Sequence, residues 1–200
     1  MYTLVSNRFT DATWQANELY RKKHSIEGCI YGSPQRFSTR IDLNALIHVI
    51  EMNNSKNKIF GIGIIRNMIQ VDKYYGIYET GNYNRYVFKG KYHLNREELP
   101  KQLVDGLEHI LFKDKTHMKR GSGMTIVPER LLRHEKFCEL NVKREIKRIF
   151  WEKYKKDEED EEDEKDKEDK EDEEDEKDKE DEEDKEYDQN EILYFPEEKT

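Results

Sequence analysis

The run from Asp157 to Glu186 holds 24 Asp and Glu, 6 Lys and nothing else. Fixing each residue of such a segment costs about 1–2 kcal/mol of conformational entropy, and no apolar side chain is present to offset it. The unit Glu-Glu-Asp-Glu-Lys-Asp-Lys-Glu-Asp occurs twice, from Glu161 and from Glu173, which marks low complexity rather than a stacking repeat. The spacing therefore predicts a globular domain over 1–156 and an acidic, disordered, low-complexity tail over 157–200. Its apolar end, Ile192-Leu193-Tyr194-Phe195-Pro196, reads as a frayed terminus or as a patch that docks on a partner.

This division changes the meaning of the charge. The chain as a whole carries −9, but residues 1–156 hold 29 Lys and Arg against 17 Asp and Glu, a net of +12, while 157–186 carry −18 and 187–200 carry −3. The domain is cationic, so the acidic average does not exclude a polyanionic partner. A domain of this size buries enough surface to fold without staples. Cys29 and Cys138 stand far apart with no CxxC spacing, which suits a reducing compartment. No apolar run reaches the ~18 residues of a membrane span, and Met1 to Ser6 is too short for a secretory signal. An intracellular protein with no membrane association is expected.

Along the domain, Thr10 and Asp11 open a helix whose stripe is Ala12, Ala16, Leu19 and Tyr20, with Trp14 off it. Gly28 to Pro34 reads as a short strand. Ala45 to Met52 is apolar on both alternating faces, as a covered central strand would be, and Asn53 to Asn57 turns the chain into a second strand, Lys58 to Arg66. There Phe60, Ile62 and Ile64 share one face and Gly61 and Gly63 the other. Two glycines on one face admit a close neighbour, whether a packed element, a bulge or a ligand. Tyr86-Val87-Phe88 is a strand, Asn95 and Glu98 form a capping box, and a helix after Pro100 buries Leu99, Leu103, Leu107, Ile110 and Leu111. Pro128 begins a last helix that carries Ile146, Ile149, Phe150 and Tyr154 on one face.

Most enzyme templates fail. The six histidines never stand at metal-ligand spacing, no nucleophile motif is present, and lone carboxylates on helices are ordinarily solvated. No catalytic residue, metal or cofactor is assigned. The densest chemistry is the segment Tyr74 to Arg96, where tyrosines alternate with basic and amide side chains, together with the basic loop Lys113 to Gly123. Aromatic rings accept stacked bases at about 1–3 kcal/mol each and Lys or Arg neutralise phosphates, so the mixture is what a single-stranded nucleic-acid surface needs. The candidate binding residues are Tyr74, Tyr83, Arg85, Lys89, Lys91, Lys115, Lys119 and Arg120.

The stretches Ala45 to Asn67, Asn82 to Tyr92 and Lys113 to Pro128 resemble an uncharacterised conserved protein family of large double-stranded DNA viruses, a resemblance that spans residues 1 to about 130 and leaves the tail outside. The order of helix, strand, long hairpin, Tyr-rich strand and helix is similar to the PUA-like superfamily, with its EVE, ASCH and YTH domains. That similarity implies a small β-barrel with flanking helices that binds RNA or modified bases in an aromatic pocket, for which Trp14, Tyr31, Tyr74 and Tyr83 are the candidate rings.

The expected fold is α+β, a small, curved, mainly antiparallel sheet or partial barrel with flanking helices. The expected function is nucleic-acid binding, of RNA or DNA, to a single strand or a modified base, with the acidic tail competing for the basic surface. The second reading is a viral protein-interaction module whose tail engages basic partners such as histones, and the third a small nucleoside or base hydrolase.

Overall fold

The computed structural model describes residues 3–113, 115, 117–121, 123–137 and 140–155. The expectations for the tail, 157–200, lie outside the described residues, and the fold below is that of the first of two units into which the chain divides, Met1–Trp151.

The chain is α+β. Its strands are β1 (Thr3–Phe9), β2 (Cys29–Ser33), β3 (Leu46–Asn53), β4 (Lys58–Arg66), β5 (Tyr86–Gly90), β6 (His93–Asn95) and β7 (Met124–Ile126), and its helices are α1 (Asp11–Lys23), α2 (Lys101–Glu108), α3 (Glu129–Leu132) and α4 (142–155). Five strands form one mixed sheet in the order β6-β4-β3-β1-β7, and β2 pairs with β5 in a separate antiparallel ribbon. The pairing of β1 with β3 is parallel, with Thr3 opposite Ile47 and Phe9 opposite Asn53. The other ladders of the sheet are antiparallel. The sheet is open and not closed into a barrel.

Why β3 is central is plain from its sequence: both faces are apolar, and both are covered. One face, with Ile47 and Val49, packs with Val5, Phe9 and Ile65 against Ile30, Tyr31, Val87 and Phe88, from the ribbon side. On the other face His48 meets the ring of Phe150 from α4 edge-on, with centroids 5.6 Å apart. The β3–β4 hairpin turns through Asn57 at φ 53°, a left-handed conformation that asparagine tolerates. A bulge between Glu51 and Met52 places Ile59 and Gly61 opposite successive β3 residues, leaving Phe60 unpaired to pack on Trp14 at 4.9 Å.

Three expectations need correction. The first is β1, a central strand between β3 and β7, which the reading of residues 1–6 as a short apolar terminus omitted. The second is the inward face of α1. Thr10 caps the helix as expected, accepting from Thr13 N, but Leu19 is exposed and Asn17 is its buried residue, with its amide nitrogen donating to Ile30 O at 2.8 Å and to the Tyr78 hydroxyl at 3.2 Å. Trp14 belongs to this face, between Phe9 and Phe60. The third is the last helix, which is not continuous from Pro128. α3 ends at Leu132, Phe137 follows in a 3-10 turn, and α4 starts afresh behind Asn141, whose side chain accepts from Arg144 N at 3.0 Å. Phe137 lies so close to Gly106 of α2 that a Cβ there would stand 2.5 Å from its ring. Gly106 therefore lets the ring close onto the helix backbone, although glycine costs a helix about 1 kcal/mol relative to alanine.

Candidate functional site

Gly61 and Gly63 open one face of β4, and the molecule fills that space itself. A Cβ on Gly63 would stand 2.2 Å from the Tyr31 hydroxyl and 2.6 Å from Cys29 Sγ, and one on Gly61 would stand 2.7 Å from Glu51 Oε2 and 2.9 Å from His93 Nε2. Here the Tyr31 hydroxyl donates to Glu51 Oε1 at 2.8 Å, and Glu51 Oε2 lies 3.0 Å from His93 Nε2. Tyr31 and Glu51 are wholly buried and His93 nearly so. Burial raises the Tyr31 hydroxyl well above its ordinary pKa, helped by the nearby Cys29 and Glu51, and pushes the Cys29 thiol up to about 12. These groups hold their protons and face one another. The place beside the glycines where a ligand was one reading is occupied by the protein's own polar side chains.

The outward-facing tyrosines tell a different story. In register, Ser33 of β2 pairs with Tyr86 of β5. At this end of the ribbon the guanidinium of Arg36 lies over the Tyr86 ring at 5.2 Å and that of Arg85 at 5.4 Å. Just before β5, the 3-10 turn Gly81–Asn84 holds Tyr83 at the surface, its ring edge-on to buried Tyr78 at 6.3 Å. Asn84 fixes the turn: its side-chain oxygen accepts from Ile77 N and Tyr78 N, and its nitrogen donates to Tyr78 O at 2.7 Å and lies 3.4 Å from the Tyr74 hydroxyl. Tyr74 itself is 75% exposed. A buried amide thus braces an exposed ring.

The basic loop reaches the same end of the ribbon. Gly123, at φ 68°, is packed so closely on the start of the β2–β3 connection that a Cβ would stand 2.7 Å from Ser33 Oγ and 3.3 Å from Pro34 Cδ. Lys119 and Arg120 precede it, and Lys115 is exposed farther back in the loop.

Lys89 and Lys91 are elsewhere. Lys89 stands near the far end of β5 and Lys91 just past it, about 10 and 16 Å along the chain from Tyr86 at ~3.3 Å per residue. There they line an open cleft of about 410 Å³ with Ser25, Glu27, Gly28 and Gln70. A neighbouring cleft of about 400 Å³, lined by Trp14, Arg21, Lys22 and Asn95, shares the Ser25–Glu27 segment with it.

Of the expected binding residues, the fold gathers Tyr74, Tyr83 and Arg85 at one corner, brings the loop of Lys119 and Arg120 up to it through Gly123, and separates Lys89 and Lys91. The four-ring cage of Trp14, Tyr31, Tyr74 and Tyr83 does not form, because Tyr31 is sealed in the core and Trp14 packs between two phenylalanines. Arg36 and Tyr86 were not singled out. Arg36 is an isolated cation in a polar connection, and only the Ser33–Tyr86 pairing brings it to the ring. Among the described residues no three His, Cys, Asp or Glu side chains gather to hold a metal ion, and no helix is long and apolar enough to cross a membrane.

Comparison of the chain with protein-family models, with curated proteins and with solved structures returns no match.

Proposed function

We propose that the domain binds single-stranded nucleic acid at the corner formed by Arg36, Tyr74, Tyr83, Arg85 and Tyr86. The observation that carries this reading is the pair of guanidinium groups over Tyr86 beside two exposed tyrosine rings. A guanidinium resting on an aromatic ring keeps its N–H donors for phosphate and offers a flat face to a base, and the neighbouring rings extend the stack. The net charge of +12 over residues 1–156 supplies the long-range attraction. The PUA-like and viral-family resemblances stay with this proposal on the sequence stretches alone; the fold is α+β and its sheet is open.

The test is fluorescence anisotropy of the full chain with labelled single-stranded RNA, single-stranded DNA and duplex at two salt concentrations. Salt-sensitive binding with a preference for single strands, lost in the Tyr74→Ala/Tyr86→Ala variant, is expected. Absence of binding to all three at low salt would overturn the proposal and favour a protein partner.

A further inference from the structure

Arg8 is a cation on β1 that belongs to no sequence motif, and among the described residues its guanidinium meets three acceptors, none of them an acid. Its Nε donates to Met118 O at 2.5 Å, and its Nη1 donates to Gly123 O at 3.1 Å and to Thr125 Oγ1 at 3.0 Å. These bonds fasten the basic loop to the rigid middle of the sheet. Among the described residues the guanidinium makes no ion pair. Burial lowers its pKa from the ordinary value, with no carboxylate acting against that shift. Half-buried charges are ordinarily compensated by an opposite charge, and carbonyl dipoles answer only part of this one.

The remaining nitrogen, Nη2, has no hydrogen-bond partner among the described residues. A Cβ on Gly121, which adopts φ 106°, would stand 3.7 Å from Arg8 Cζ and Nη2 and 3.8 Å from Nη1, so the glycine lies over the guanidinium plane with no side chain to cover it. Lys119 and Arg120 immediately precede this glycine, and the Asn54 side chain holds the loop from the other side by donating to Lys119 O at 3.1 Å. The result is a fixed guanidinium beneath a glycine that Lys119 and Arg120 precede in the chain.

We infer that Arg8 Nη2, with Lys119 and Arg120, binds a phosphate group at the Gly121 bend. The phosphate belongs either to a nucleic-acid backbone or to a free phosphate. Only the first source rests on the function proposed above, and Gly123 is the neighbour common to this site and to the Tyr86 corner.

The experiment uses the full chain and two probes, sodium phosphate at constant ionic strength and a labelled single-stranded oligonucleotide, with wild type, Lys119→Ala/Arg120→Ala and Arg8→Lys. Saturable thermal stabilisation by phosphate over chloride is expected, with the double variant weakening phosphate at least about tenfold, as the loss of charge-assisted hydrogen bonds implies. Because Lys119 and Arg120 give no side-chain support to the core, this variant should fold as wild type, and Arg8→Lys tests the fork if it folds. Phosphate and oligonucleotide both weakened by the double variant supports the site and the nucleic-acid reading together. Phosphate bound without any oligonucleotide binding supports the site and overturns that reading. Oligonucleotide bound, with phosphate ineffective and the double variant neutral, overturns the site and leaves the reading standing. Neither probe bound overturns both.

Discussion

Two groups of tyrosines in this domain are built from the same materials and turned in opposite directions. Beneath Gly61 and Gly63, Tyr31 closes a hydrogen-bonded cluster with Glu51 and His93 in which every side chain is buried. At the Ser33 end of the ribbon, Tyr86 carries two guanidinium groups and Tyr74 and Tyr83 face solvent. A tyrosine beside ionisable neighbours is therefore not in itself a sign of function. What separates the groups is whether the partners are spent on one another. The inner groups satisfy one another inside the fold, whereas in the outer cluster Tyr74 and Tyr83 expose their rings and, among the described residues, Arg36 and Arg85 pair with no acid.

The sharpest way to break this distinction is to remove the centre of the inner cluster. Glu51→Ala leaves the Tyr31 hydroxyl and the His93 ring facing an empty buried space. It should lower stability by roughly 2–6 kcal/mol in chemical denaturation, the combined cost of leaving two buried hydrogen-bonding groups without their partner. The fraction that remains folded should bind oligonucleotide as wild type does. A smaller effect comes from the other face of β3. Burial, reinforced by Lys147, lowers the pKa of His48 from 6.5 to about 4, so the folded protein holds this imidazole neutral. A histidine whose folded pKa is depressed contributes fully above pH 6.5, and that contribution is lost as the pH falls toward 4. The loss is of the order of 3 kcal/mol at ~1.4 kcal/mol per unit. His48→Leu should flatten the stability-against-pH curve over this window, as read by thermal unfolding at a series of pH values.

Gly63→Ala should then cost about 1–3 kcal/mol by overpacking, since the new methyl would meet the Tyr31 hydroxyl. Tyr86→Ala sharpens the comparison from the outside. Because Tyr86 packs partly buried on the core and carries both guanidinium groups, the change should lower stability by about 1–2 kcal/mol and weaken single-strand binding by about 1–3 kcal/mol through loss of the cation–π platform. The smallest change is expected for Lys89→Ala, which stands at the other end of β5. It should reduce the salt dependence of binding slightly and leave strand preference unaltered.

Much of the fold was legible because its signals are local. The apolar run of β3, the asparagine-rich turn and the glycine alternation of β4 specify a hairpin, and the Asn95–Glu98 capping box is present, with Asn95 N donating to Glu98 Oε2 at 2.7 Å. β1 was not legible because Thr3–Phe9 mixes Leu4 and Val5 with Ser6, Asn7 and Arg8, and its parallel partner begins at Ile47, far along the chain. In α1, Asn17 displaced Leu19 from the interior because a carbonyl and a tyrosine hydroxyl there needed a donor. For the proposed site, the sequence pointed to Tyr74, Tyr83 and Arg85 by composition. It could not distinguish Tyr31 from them, nor connect Arg36 or Arg8 to anything, because those relations exist only across strands.

The central claim is tested most directly by 19F NMR of the full chain carrying 3-fluorotyrosine at its 12 tyrosines, titrated with a single-stranded oligonucleotide and assigned by Tyr→Phe variants. Resonances of Tyr74, Tyr83 and Tyr86 are predicted to shift while those of Tyr31, Tyr75 and Tyr78, all three buried, stay in place. Shifts confined to tyrosines outside the Tyr86 corner, or none at a concentration that saturates binding, would contradict the account.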